Sequence, residues 1–194
     1  MARLKVVTGG AKSGKSAFVE ATIKDKKEVC YIATGLVKEK DPEWQARVLA
    51  HQKRRPDSWV THEAYLNLDL WISDQSYPTY LLDSATMLTS NLLFDLVAAQ
   101  YPDKIALSDE HFLSQEEQDH LSQSIMAKWH SLIEALREKE AEVWIVTDEV
   151  GLGIVPQTKL GRFFRDLQGT LNQELAKEAS EVYIVICGLA QQIK

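Results

Sequence analysis

The sequence is short of several things that would each announce a function class. It has two cysteines in 194 residues, Cys30 and Cys187, both in apolar runs and neither in a CxxC pair or a Cys/His cluster. That excludes a disulfide scaffold and a zinc-ribbon reading, and predicts two buried, reduced thiols. Long hydrophobic stretches are also missing. The longest apolar run, Val182–Ala190, has nine residues, against about 20 for a membrane-spanning helix. The opening residues MARLKVVTGG contain nothing resembling a secretory leader, so the expected location is the cytoplasm. A basic excess is lacking as well. Lys and Arg number 22 against 28 Asp and Glu, a net charge of −6, which speaks against a general nucleic-acid binder. No internal repeat, low-complexity tract or linker breaks the chain, and residues 1–194 are expected to form a single domain.

What is present reads as strand–helix alternation. Leu4–Thr8, Val29–Ala33, Tyr80–Asp83, Val143–Thr147 and Val182–Cys187 are short, apolar and without polar alternation, as strands of a doubly covered parallel sheet are. Helical patterns lie between them at Ser16–Lys24, Pro42–Arg54, Leu88–Ala99, Ser122–Lys139 and Gly161–Ala179. The last repeats Phe164, Leu167, Leu171 and Leu175 at helical spacing. Tyr101–Asp119 is polar and reads as a surface loop. The order predicts an α/β domain, a mostly parallel sheet with helices on both faces.

The first strand runs into Gly9-Gly10-Ala11-Lys12-Ser13-Gly14-Lys15-Ser16, a full match to G-x-x-x-x-G-K-[ST], and a helical pattern follows. Glycines let the backbone turn its N–H groups onto phosphate oxygens, and the helix N-terminus adds positive potential. In this class Lys15 reaches the β- and γ-phosphates and the Ser16 hydroxyl joins a Mg²⁺ shell. A carboxylate at the end of a nearby strand is also needed. Tyr80-Leu81-Leu82-Asp83 supplies one; Asp83 would also suit a helix cap, but beside the phosphate loop the metal role is the better reading.

Asp41–Pro56 adds a histidine. With Asp41 as N-cap and Pro42 in the first helical position, Glu43 and Arg47 share one side and Trp44 and Val48 lie beside them. His51 falls on the boundary, near Arg47, whose charge favours neutral imidazole. Neutral imidazole is a nucleophile. A packing or surface histidine would look the same, and Lys53-Arg54-Arg55 would suit a solvated helix end.

These blocks, taken together, resemble the bifunctional adenosylcobinamide kinase / adenosylcobinamide-phosphate guanylyltransferase of cobalamin assembly, the CobU family. The matching blocks are TGGAKSGKS at Thr8–Ser16, YIATG at Tyr31–Gly35, and D-x-E-x-x-x-R-x-x-x-H at Asp41–His51. Arg55-Pro56, Trp59-x-Thr61-x-Glu63, LLDS at Leu81–Ser84 and SNLL at Ser90–Leu93 follow. EVGLGIVP at Glu149–Pro156, GRFFRDLQGTLNQ at Gly161–Gln173 and a closing Gly188–Lys194 complete the series. The resemblance implies a P-loop NTPase fold of RecA-like type and a homotrimer. It implies that ATP or GTP phosphorylates adenosylcobinamide. GTP then guanylylates a histidine, and GMP passes to adenosylcobinamide phosphate. By resemblance that histidine is His51. The nucleotide contacts are the phosphate loop, Ala33, Thr34, Gly35, Gln52, Lys53, Arg54, Arg55, Glu63 and Asp83, and the Mg²⁺ ligands are Ser16 and Asp83. Three places depart from the family pattern: Asp148 where Asn commonly precedes Glu149, a longer Tyr101–Asp119 segment, and the tail Ala190-Gln191-Gln192. A P-loop kinase or ATPase without guanylylation is the alternative, and a nucleotide-binding regulator without turnover a third.

Overall fold

The computed structural model describes residues 2–35 and 55–194. Seven strands form one sheet in the order β3-β2-β4-β5-β1-β6-β7. The strands are β1 (Arg3–Thr8), β2 (Val29–Ala33), β3 (Val60–Glu63), β4 (Thr79–Asp83), β5 (Glu142–Val146), β6 (Glu181–Ile186) and β7 (Leu189–Gln192). All neighbours pair in parallel except β6 and β7, which form an antiparallel hairpin at one edge. The described helices are α1 (Lys15–Ile23), α2 (Leu68–Asp74), α3 (Ala85–Gln100), α4 (Gln115–Arg137) and α5 (Lys159–Glu178). None is long and apolar enough to cross a membrane. The expected helix at Pro42–Arg54 lies outside the described residues.

The uniform apolarity of the central strands has a simple cause: both faces of the sheet are covered. Leu4, Val6, Ile32, Leu82, Val143 and Ile145 face one way, into a core closed by α2 to α5. Val7, Tyr31, Leu81, Trp144 and Val146 face the other way, against Val19 and Ile23 of α1 and the ring of Trp59. Every residue of β5 is buried. Among the buried polar groups, Trp129 Nε1 of α4 donates to Thr89 Oγ1 of α3 at 3.1 Å, so a polar tip is satisfied inside an apolar helix contact.

Five strands and four of the helices match the sequence expectation to within a few residues at most boundaries. The differences have local reasons. Helix α4 starts at Gln115, inside the segment expected to be loop up to Asp119. Ser114 and Glu117 form a reciprocal capping box that starts the helix before its apolar stripe begins. The stretch before it holds a short 3₁₀ turn, Pro102–Lys104. Strand β3 was not expected because as an edge strand only one of its four residues, His62, is even half-buried. Strand β7 is exposed along its whole length. The expectation of two buried thiols holds for Cys30 alone. Cys187 is exposed, in the β6–β7 turn at φ 51°, where the reversal turns the side chain out of the sheet.

Candidate active site

Because six strands run parallel, their carboxyl ends share one edge of the sheet, where open α/β sheets hold their ligands. The phosphate loop leaves β1 at this edge. Gly9 (φ 153°) and Gly14 (φ 101°) take backbone conformations that L side chains rarely adopt. The loop is anchored on both flanks: Gly9 C=O accepts from Glu149 N–H at 3.0 Å, and Ser13 C=O accepts from Gly188 N–H at 2.8 Å. Helix α1 then begins at Lys15 with no side-chain cap on its first turn. Its leading N–H groups are the ones a phosphate chain would take up.

Lys15 is buried to 7% exposure and its Nζ is aimed back across the loop. It donates to Gly10 C=O at 2.8 Å and pairs with Asp148 Oδ1 at 2.7 Å. Asp83 ends β4, as expected, but β4 is not the immediate neighbour of β1; β5 stands between them. The sequence marks this carboxylate but not its partner. Tyr31, from β2, donates its hydroxyl to Asp83 Oδ2 at 2.6 Å. Burial, and then the charge of Asp83, push the Tyr31 hydroxyl well above its ordinary pKa, so it stays a donor.

Arg55 lies over the Tyr31 ring with its guanidinium carbon 3.3 Å from the centroid, and its Nε is 3.9 Å from Glu20 Oε1. This places the Arg55 side chain on the Tyr31 ring and beside α1. Trp59, four residues on, is a core residue at 7% exposure. Thr34 is fully buried. Its hydroxyl donates to Ser84 C=O at 2.7 Å and accepts from Ser84 N–H at 2.9 Å. Asn91 Nδ2 donates to Thr34 C=O at 2.8 Å. The YIATG, LLDS and SNLL blocks therefore meet in one clamp joining the ends of β2 and β4 to α3, with Ala33 and Gly35 flanking it. Glu63 ends the outer strand β3 and is exposed. His51, Gln52, Lys53 and Arg54 lie outside the described residues.

Two further blocks join at this edge. Thr147 Oγ1 donates to Asn172 Oδ1 at 2.7 Å, and Gln168 Nε2 donates to both Thr147 Oγ1 and Asn172 Oδ1 at 3.0 Å. Asn172 Nδ2 in turn donates to Asp148 C=O at 3.0 Å. The α5 motif thus anchors the end of β5 beside the phosphate loop. Glu149 accepts from the N–H groups of Gly151 (3.0 Å) and Leu152 (2.8 Å), which folds the EVGLG turn on itself. Arg162 donates to the carbonyls of Pro156 (2.9 Å) and Gln157 (2.6 Å), closing the loop's far end. Arg165 pairs at the surface with its neighbour Asp166. No cluster of three or more His, Cys, Asp or Glu able to hold a metal occurs among the described residues.

The sequence matches, over residues 5–193, the family described as "Cobinamide kinase / cobinamide phosphate guanyltransferase". The chain belongs to the CobU family. One member of the family, the bifunctional adenosylcobalamin biosynthesis protein CobU of Escherichia coli strain K12, is 40% identical over 191 residues, covering 97% of this chain and 98% of that protein. The protein of the same name from Salmonella typhimurium is 39% identical over the same shares. The bifunctional adenosylcobalamin biosynthesis protein CobP of Pseudomonas aeruginosa is 29% identical over 97% of this chain. Among solved structures, an ATPase of the type III secretion system superposes with a TM-score of 0.56 at 10% identity. That likeness covers 94% of this chain and half of the ATPase, and bears on the fold alone. The family match and this likeness agree with the expected fold, a P-loop NTPase with a RecA-like, mostly parallel sheet flanked by helices.

Proposed function

We propose that the chain acts as one domain carrying out two transfers on a corrinoid. In the first, the aminopropanol hydroxyl of adenosylcobinamide attacks the γ-phosphorus of ATP or GTP. The bond to the β–γ bridging oxygen breaks, the nucleoside diphosphate leaves and the hydroxyl proton is lost to the medium. In the second, an imidazole nitrogen of His51 attacks the α-phosphorus of GTP and pyrophosphate departs. A phosphate oxygen of adenosylcobinamide phosphate then attacks the guanylyl phosphorus, the N–P bond breaks, His51 is regenerated and adenosylcobinamide-GDP forms. The observation that carries this reading is the family match along nearly the whole chain, joined to a complete phosphate loop at the carboxyl edge of the sheet.

The geometry of the phosphate loop supports the phosphate-binding part of this reading. Phosphoryl transfer depends on positioning and charge neutralisation more than on covalent help from the protein. The α1 N-terminus and Lys15 supply both for the phosphate chain. The donor set offered for Mg²⁺, the Ser16 hydroxyl and the Asp83 carboxylate, is all oxygen, which suits a hard cation. Bound with the nucleotide, Mg²⁺ would neutralise charge on the phosphate chain. Tyr31 orients Asp83 by holding Oδ2. In this reading Ala33, Thr34, Gly35, Gln52, Lys53, Arg54, Arg55 and Glu63 surround the nucleotide. For Thr34, whose hydroxyl is already engaged, that contact would come through the backbone. The cytoplasm and a homotrimer belong to the same reading, on the strength of the resemblance.

The test is intact-protein mass spectrometry after incubation with GTP and Mg²⁺, beside His51→Ala. A single GMP-sized increase in the parent and none in the variant is expected, with discharge by adenosylcobinamide phosphate. A persistent adduct in the variant would reject His51. No adduct in a parent that binds GTP would leave a kinase without guanylylation.

A further inference from the structure

Asp148 stands just beyond β5, and its carboxylate shares the ammonium that the phosphate loop offers to a nucleotide. Asp148 Oδ1 is 2.7 Å from Lys15 Nζ, with the two side chains 30% and 7% exposed. What fixes residue 148 is its main chain. The Asp148 N–H donates to Thr86 Oγ1 at 2.8 Å, and its C=O accepts from Asn172 Nδ2 at 3.0 Å. The next residue's N–H is tied to Gly9 C=O at 3.0 Å. Asn172 is itself held by the buried Thr147 and Gln168. The backbone that carries the carboxylate is therefore anchored independently of its ion pair with Lys15. When Lys15 turns to a β- or γ-phosphate, the Asp148 carboxylate, carried on this anchored backbone, keeps a negative charge near the same ammonium and near the phosphate chain.

We propose that Asp148 determines the form of nucleotide the site accepts, selecting metal-complexed triphosphate against uncomplexed triphosphate and free pyrophosphate. This rests on the loop being the nucleotide site. The reason is charge: the uncomplexed chain carries two more negative charges than its Mg²⁺ complex. A carboxylate at the partly buried end of β5 repels the more anionic form more strongly, where water screens it poorly. The same repulsion favours departure of uncomplexed pyrophosphate after guanylyl transfer. A purely structural role for the pair, holding Lys15 in place, makes the opposite prediction. Loss of the carboxylate would then weaken both forms of the nucleotide alike.

Calorimetric titration of the full chain distinguishes the two. GTP and pyrophosphate are titrated into the parent, Asp148→Asn and Asp148→Ser, once with excess Mg²⁺ and once with EDTA. Asp148→Asn keeps the main-chain bonds that place residue 148, and Asp148→Ser guards against a new amide contact to phosphate. Both variants should bind GTP in EDTA about tenfold more tightly than the parent, and Mg²⁺-complexed GTP no more than about threefold more tightly. Pyrophosphate in EDTA should follow uncomplexed GTP. Equal changes in the two conditions, or weaker binding in EDTA, would overturn the proposal while leaving the nucleotide site intact. A parent that binds neither form of GTP would overturn the nucleotide reading itself, and the proposal with it.

Discussion

Replacing Gly9 by Ala tests how tightly the phosphate loop is built into the sheet. A Cβ at Gly9 would lie 2.4 Å from the Val185 carbonyl oxygen and 2.8 Å from Ser13 Oγ. The carbonyl cannot recede, because β6 is paired on both sides, with β1 through Thr8 and Ile184 and with β7 through Val185 and Ala190. The backbone at Gly9, φ 153°, is itself one that an L side chain disfavours. Overpacking of this kind costs roughly 1–3 kcal/mol and a strained backbone position a similar amount. A net loss of about 3 kcal/mol lowers Tm by roughly 6–12 °C in a chain of this size. If the loop shifts to relieve the clash, its N–H groups leave the phosphate positions and GTP affinity falls at least about tenfold. Gly10→Ala is the control, since nothing lies within 4 Å of a Cβ there, and its stability should change by no more than about 0.5 kcal/mol. Scanning calorimetry and GTP titration on both variants decide the matter. A Gly9→Ala protein that melts within about 2 °C of the parent and binds GTP equally would refute the reasoning.

Other expectations follow from the same geometry. Tyr31→Phe removes the donor to Asp83 Oδ2; it should cost about 1–2 kcal/mol in urea denaturation and raise several-fold the Mg²⁺ concentration that supports GTP binding. Asn172→Ala leaves Thr147, Gln168 and the Asp148 carbonyl each short of a partner, for a loss of about 2 kcal/mol by the same assay. Burial raises the Glu142 carboxyl, but hydrogen bonds from Lys26 and Lys5 outweigh it and hold its pKa below the ordinary value. Its stabilisation is then complete above the unfolded pKa and lost as pH falls through the lower folded one. Parent and Glu142→Gln stability curves should therefore converge as pH drops below about 4; a constant gap down to pH 2 would contradict this.

The chain's own order of residues carried a large part of this structure. The phosphate loop is contiguous, and its turn, glycines and following helix are set by neighbours in sequence. Strands β2, β4 and β5, and most of β1, were legible because burial on both faces removes polar alternation and leaves plain apolar runs; β6 was legible by its apolar run although it is only partly buried. Asp83 was legible as the last residue of such a run. Edge strands β3 and β7 were not, since an exposed strand needs no apolar residue and is recognised only by the partner it pairs with. The interposition of β5 between β1 and β4 is likewise a matter of crossover connections that leave no local mark. So are the contacts that tune the site: Tyr31 on Asp83, the Thr34–Ser84 clamp, and Asp148 on Lys15. Each joins residues 50 or more positions apart. Local sequence dictates backbone conformation and burial pattern; which side chain reaches an ammonium or a carboxylate depends on how the sheet brings distant strand ends to one edge.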